Sequence, residues 1–153
     1  VQIVGEFEDK LNAADLTLLI QKPETPVYVM ADGRHFWRVI DNLMNNICKY
    51  AQPGTRVYVD LRENGGQVEL IFRNTSRYPL NISSEELMER FVRGDESRNT
   101  EGSGLGISIA KSLMELMGGS FMLYVDGDLF KVVLGFAQME EEKEPLDEDK
   151  SGK

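Results

Sequence analysis

Cysteine is almost absent: Cys48 is the only one in 153 residues. That excludes an intramolecular disulfide and a cysteine-based metal cluster, and a single thiol reads as inert packing, weakly favouring a reducing compartment. No apolar run approaches the roughly 18 residues of a membrane span, and no secretory signal is visible. Positive charge is in deficit, with 17 Lys and Arg against 26 Asp and Glu and a net charge of −9. A polyanion would be repelled, which argues against nonspecific nucleic-acid binding. Internal repeats are missing too. The chain starts at Val1 rather than Met, so the expectation is a fragment of something longer, with any membrane anchor upstream.

What is present describes one ordinary domain. Hydrophobic residues make up 41% and charged residues 28%, normal for a globular protein of a size that buries one sizeable core. From Gln138 to Lys153 seven acids face three lysines, a net −4 that leaves −5 for the body. This stretch has one Pro, one Leu and no aromatic residue, so a domain over 1–138 and a disordered acidic tail over 139–153 are expected.

Periodicity places the elements. Ile3, Val4, Phe7 and Leu11 share a helical face over Val1–Leu11. Asp15–Gln21 reads as a strand and Pro26–Met30 as a second after a proline turn. Asp32 is the predicted N-cap of a long helix to about Tyr50, with Phe36, Val39, Ile40, Leu43, Ile47 and Tyr50 at spacings of three and four; Pro53-Gly54 ends it. Arg56–Arg62 and Gln67–Arg73 alternate around Glu63-Asn64-Gly65-Gly66, a hairpin signal. A short helix is expected from Ser83 or Ser84, a polar aperiodic stretch over 90–102, and a helix over Leu105–Met117 closed by Gly118-Gly119. Ser120–Val125 and Leu129–Ala137 form a last hairpin. The predicted fold class is α/β (α+β): a two-layer sandwich with a mixed, mostly antiparallel sheet of about six strands covered by helices on one face.

Two segments carry the chemistry. In the first helix Asn42 and Asn46 are four apart and share a face, with Lys49 one turn on. Asparagine is a poor helix former, so three in five positions need a reason. Asn46 offering its carbonyl oxygen to Mg²⁺ with Lys49 on a phosphate is one; a solvated polar face is the other. The second segment is Gly102-Ser103-Gly104-Leu105-Gly106-Ile107-Ser108-Ile109-Ala110-Lys111. Its glycines permit close backbone approach, and the helix beyond offers free amides and a positive dipole end to phosphate. It lacks the Gly-Lys-Ser/Thr ending of a P-loop and does not follow a strand as a Rossmann fingerprint does.

Taken in order, these pieces resemble the ATP-binding catalytic domain of sensor histidine kinases, in the superfamily that includes gyrase and MutL, with its Bergerat-type ATP-binding fold. Ala31-Asp32-Gly33-Arg34 precedes Arg38–Tyr50, which is similar to the N box. Glu89–Arg98 is similar to the F box and its polar continuation, Gly102–Lys111 to the second glycine box, and Gly118-Gly119 to the pair after its helix. The resemblance covers nearly the whole chain except the tail. It implies ATP and Mg²⁺ as cofactors. Asn46 would chelate the metal, Asn42 would lie near the phosphates, and Lys49 and Tyr50 would line the pocket. Arg93 or Arg98 would reach phosphate from a lid anchored by Phe91, and Gly102, Ser103, Gly104, Leu105 and Gly106 would form the phosphate wall. ATP-hydrolysing relatives carry a glutamate where Asn42 stands; an amide has no basic lone pair to activate water, so poor hydrolysis is expected.

The first glycine box departs from the pattern. Asn74-Thr75-Ser76-Arg77-Tyr78-Pro79 replaces Asp-x-Gly-x-Gly. Asn74 aligns with the aspartate that accepts the adenine amino hydrogen, with Ser76 beside it. A neutral acceptor bonds more weakly by about 1 kcal/mol; the other reading of Asn74 is a turn residue. His35 lacks the acidic neighbour of a phosphorylated histidine, so that acceptor is expected on an upstream dimerisation domain, with a response regulator as indirect partner. Cytoplasmic placement follows from the ATP requirement, and neither nucleic acid nor membrane contact is expected of this segment. Two alternatives stay open: a degenerate regulatory module that binds nucleotide weakly or not at all, and a free-standing anti-sigma-factor serine kinase.

Overall fold

The structure is a computed structural model that describes residues 2–80, 83–89 and 105–140. It opens with two short helices, α1 (Gln2–Gly5) and α2 (Glu8–Ala13), where one helical face was expected. Gly5 weakens the helix at the break, and the Phe7 amide donates to the Val4 carbonyl at 3.1 Å, a tighter i→i−3 closure. The predicted face survives the break, because Val4, Phe7 and Leu11 are all buried.

Strand β1 (Thr17–Gln21) follows, then β2 (Tyr28–Val29). β2 is shorter than expected and meets only Gln138 and Met139 at the end of its partner strand. Helix α3 (Gly33–Tyr50) starts where the sequence places it. The Asp32 carboxylate accepts from the Arg34 and His35 amides at 2.9 and 3.0 Å, satisfying two of the donors a helix start leaves free. Those bonds, His35's first, hold the Asp32 carboxyl below its ordinary value. Val39, Ile40, Leu43, Met44 and Ile47 are the buried stripe of α3; Met44 is a member the spacing rule left out.

β3 (Arg56–Asn64) and β4 (Gln67–Thr75) pair through a two-residue turn. Gly65 and Gly66 both have positive φ, 56° and 83°, as the hairpin turn matching strand twist requires. Residues 84–89 form α4, capped by Ser83, whose hydroxyl accepts from the Glu86 amide at 3.1 Å. α5 (Leu105–Leu116) ends at Gly118, where φ is 76°. The Gly119 and Gly118 amides return to the Met114 and Glu115 carbonyls at 2.9 and 3.0 Å, a paired closure of the helix end. β5 (Ser120–Asp126) and β6 (Leu129–Met139) complete the chain. β6 runs one residue past the expected domain boundary, and residues 141–153 of the acidic tail lie outside the described residues.

The six strands form one sheet ordered β1-β3-β4-β6-β2, with β5 also on β6. Only β1–β3 is parallel; the other pairings are antiparallel. α3 and α5 pack side by side on one face, and the core lies between them and Val57, Val59, Phe72, Val132 and Leu134. The predicted two-layer, mostly antiparallel architecture is the observed one. The opposite face carries a cross-strand row of Leu19, Tyr58, Arg73, Lys131 and Tyr124. Beside it Asp60, 1% exposed, receives Arg73 at 2.7 Å and Arg62 at 3.4 Å.

Candidate nucleotide site

The outer stripe of α3 holds the candidate polar residues. Asn42 and Asn46 are half-buried and Lys49 is exposed. The Nδ2 of Asn42 is buried with no hydrogen-bond partner among the described residues. A buried amide donor without an acceptor is costly in a closed core, so it marks a place where an acceptor belongs. Lys49 lays its ammonium over the Tyr50 ring, 5.0 Å from the centroid, which keeps the charge at the surface end of the stripe. Asn45 has a separate explanation: its amide donates to Asp41 at 3.2 Å, and its oxygen accepts from Lys10 on α2. Two of the three asparagines are thus left for the candidate site.

α5 closes the second side. A Cβ on Gly106 would sit 3.3 Å from both the Cβ and the carbonyl oxygen of Asn42. A side chain on Gly106 would be tight against α3, so glycine here serves helix–helix approach and sets the start of α5 beside Asn42. The glycine spacing pointed to a phosphate wall; the close approach to Asn42 carried no signal in one dimension.

The third side is the end of β4. Asn74 is 5% and Ser76 8% exposed. Asn74 shares a face with Phe72, two residues before it, and therefore points into the helix layer. The chain leaving α3 is zipped to this strand end. Arg77 donates its amide to the Tyr50 carbonyl at 2.8 Å, Gln52 donates to the Thr75 carbonyl at 2.8 Å, and Ala51 bridges Ser76. The Ser76 hydroxyl accepts from the Tyr78 amide at 3.2 Å, and the Ser76 amide donates to the Asp128 carbonyl at 2.7 Å. Tyr50, Asn74 and Ser76 are thereby held at one end of the stripe that runs back to Asn46 and Asn42. Nothing in the sequence announced this zipper, since it joins segments more than twenty residues apart.

Leu105 is the first residue of α5, while Phe91, Arg93, Arg98, Gly102, Ser103 and Gly104 lie outside the described residues. Among the described residues no three His, Cys, Asp or Glu side chains group as a metal cage. The donors present are amide oxygens, which suit a hard cation that keeps waters and shares phosphates with its ligand. Cys48 is half-buried, and burial pushes its thiol up despite Lys10 nearby, so it carries little thiolate. His35 sits in the first turn of α3, with its amide on Asp32. An apolar cavity of about 220 Å³ lined by Val4, Val29, Phe36, Ile40 and Phe136 contains none of the candidate residues.

Residues 31–145 match the family described as "Histidine kinase-, DNA gyrase B-, and HSP90-like ATPase". The chain belongs to that family. Similar proteins include one from Salmonella typhimurium named "Probable sensor kinase SilS", 29% identical over 92% of this chain and 29% of its own length. Another is "Probable sensor protein PcoS" of Escherichia coli, 34% identical over 69% of this chain and 24% of its length. The chain therefore spans about a quarter of these curated relatives. Among solved structures, the catalytic domain of histidine kinase ThkA aligns with a TM-score of 0.73 at 20% identity, covering 89% of this chain and 88% of that one. The mycobacterial sensor histidine kinase MprB aligns at 0.68 and 22%, covering 90% and 93%. At these identities the structural likeness establishes the fold. The family's description names an ATPase, and these relatives carry sensor and sensor-kinase names. No helix among the described residues is long and apolar enough to cross a membrane.

Proposed function

We propose that this chain is the catalytic part of a sensor histidine kinase. It binds MgATP and donates the γ-phosphoryl to a histidine on a separate upstream dimerisation domain, from which a response regulator is then served. The observation that carries the reading is the Asn42 side-chain amide, unpartnered among the described residues, beside the α5 N-terminus, within a chain whose relatives are named as a probable sensor kinase and a probable sensor protein.

In this reading Asn46 offers its amide oxygen to Mg²⁺, and Asn42 donates to a phosphate oxygen. Lys49 and Tyr50 border the nucleotide, and Asn74 and Ser76 meet the base. Arg93, Arg98, Phe91 and the Gly102–Gly104 loop supply the lid and phosphate wall. The metal, when bound, neutralises charge on the transferring phosphoryl. The nitrogen–phosphorus bond forms on the acceptor imidazole as the bridging β–γ oxygen bond breaks, and ADP carries away the electron pair. Asn42 cannot take a proton from water, so ATP is kept for transfer.

The test is calorimetric titration of the folded chain with ATP, ADP and GTP, with and without Mg²⁺. Micromolar, Mg²⁺-dependent, adenine-selective binding is expected. No binding by a folded chain would overturn the reading in favour of a degenerate regulatory module, the alternative that Asn74 motivates.

A further inference from the structure

The apolar cavity beside β2 lies at the opposite end of the sandwich from the candidate nucleotide site. Along β4 it touches Val68 and Leu70, whereas Asn74 sits at the far end of that strand, about 20 Å from Val68. Along α3 it meets Phe36 and Ile40, in the first two turns, while Asn46 and Lys49 belong to the last two. Its floor is the helix face of the sheet near the β3–β4 turn, where Ile20 pairs with Val59, Leu61 with Leu70 and Val68 with Phe136. Phe36 stands edge-on to Phe136 with ring centroids 5.9 Å apart.

Packing is unfinished here. Ile20 is 37% exposed, and Val27, Val29, Phe36 and Leu61 are only half-buried, although all of them line the cavity. Further along α3, Val39, Leu43 and Met44 are completely enclosed. An apolar void forfeits dispersion contacts on each wall, and water gains no hydrogen bonds from such walls. At about 220 Å³ the cavity exceeds the roughly 150 Å³ that takes one benzene, so it accommodates about eight or nine heavy atoms.

One charged side chain lines it. Lys22 is exposed and forms no salt bridge with a described residue, and exposed Gln21 beside it offers an amide donor. Pro23 follows and confines the Lys22 backbone to extended conformations. A lysine in this place lays its stem along the apolar wall and keeps its ammonium in water. In a chain of net charge −9, a cation at an apolar mouth favours an anionic head there.

We propose that this cavity is a second ligand site, which takes a small amphipathic carboxylate: an apolar tail of about seven carbons fills the cavity, and the carboxylate meets Lys22 at the mouth. The site shares no residue with the candidate nucleotide site and does not depend on the kinase reading.

The experiment titrates the whole 153-residue chain with octanoate and, separately, octanol, by calorimetry and methyl-resolved NMR. Octanoate should bind with a Kd on the order of 100 µM, with shifts centred on the methyls of Val29, Ile40, Val59 and Val68. No binding at millimolar octanoate, or shifts centred on Ala51 and Thr75 at the nucleotide end, would overturn the proposal. Contacts from the cavity methyls to Leu146 in the free chain would overturn it as well, because residues 141–153 would then be the occupant. Lys22→Ala should weaken octanoate about 3-fold and leave octanol unchanged; equal effects on the two would remove the carboxylate from the assignment. Val27→Phe puts a ring into the mouth and should weaken both ligands by about 10-fold or more, with a thermal melt as the check on folding. Unchanged binding by folded Val27→Phe would place the ligand elsewhere. Lys22 is exposed, so Lys22→Ala keeps the test open if Val27→Phe does not fold.

Discussion

At the scale of the residue, each stripe position on α3 has its own physical account. Asn45 is spent on Asp41 and Lys10, whereas the Nδ2 of Asn42 has no partner among the described residues. Replacing Asn46 with Ala removes the proposed metal oxygen from the helix surface, so the fold should hold and Mg²⁺-dependent nucleotide binding should disappear. Titration of the variant with ATP in the presence of Mg²⁺ and of EDTA checks this; unchanged affinity would remove Asn46 as the ligand. Gly106→Ala is a different case. Alanine favours helix, but its methyl would meet the backbone oxygen and Cβ of Asn42 at 3.3 Å, and that part of α3 is fixed by the core. α5 must shift, and a destabilisation of about 1 kcal/mol is expected, together with weaker nucleotide binding. A urea midpoint equal to wild type would show that the contact relaxes without cost.

At the scale of the element, α3 depends on its start. The Asp32 carboxylate accepts two backbone amides, which hold its pKa below the ordinary aspartate value. A depressed folded pKa means that the capping contribution is fully present above about 3.8 and is lost as pH falls through the lower folded value. Hydrogen exchange in the first turn of α3 should therefore accelerate as pH drops below 4, after correction for intrinsic rates. In Asp32→Asn that step should vanish, because the amide oxygen caps without titrating. A step of equal size in the variant would assign the pH dependence elsewhere. The breaks follow the same local physics. Gly118 accepts a φ of 76° at the end of α5, and Gly5 interrupts the first helix although its apolar face continues through Val4, Phe7 and Leu11.

At the scale of the whole molecule, the two faces of the sheet do different work. The helix face holds the core and, at its edge, Asn74 and Ser76. The outer face holds Asp60, 1% exposed, with Arg73 at 2.7 Å, while Arg73 stacks on Tyr58 with 5.0 Å to the centroid. Removing the acid leaves a partly buried guanidinium without its charge partner, so Asp60→Ala should cost about 3 kcal/mol. Urea unfolding measures it. Nucleotide binding should stay within a few-fold of wild type, because the pair lies across the sheet from the candidate site. A variant as stable as wild type would mean that solvent replaces the partner freely.

By itself the sequence determined the elements and their order. The period of α3, its Asp32 cap, the Gly65-Gly66 turn and the Gly118-Gly119 stop are local, set by neighbours within a turn or two. The stripe of Asn42, Asn46 and Lys49 was legible for the same reason: helical register is a local quantity. Tertiary structure alone decided what meets that stripe. The approach of Gly106 to Asn42, the zipper of Tyr50–Gln52 onto Thr75–Arg77, the inward turn of Asn74 and the burial of Asp60 under Arg73 each join residues from separate elements. Such contacts are fixed by how sheet and helices pack, and packing leaves no periodic trace along the chain.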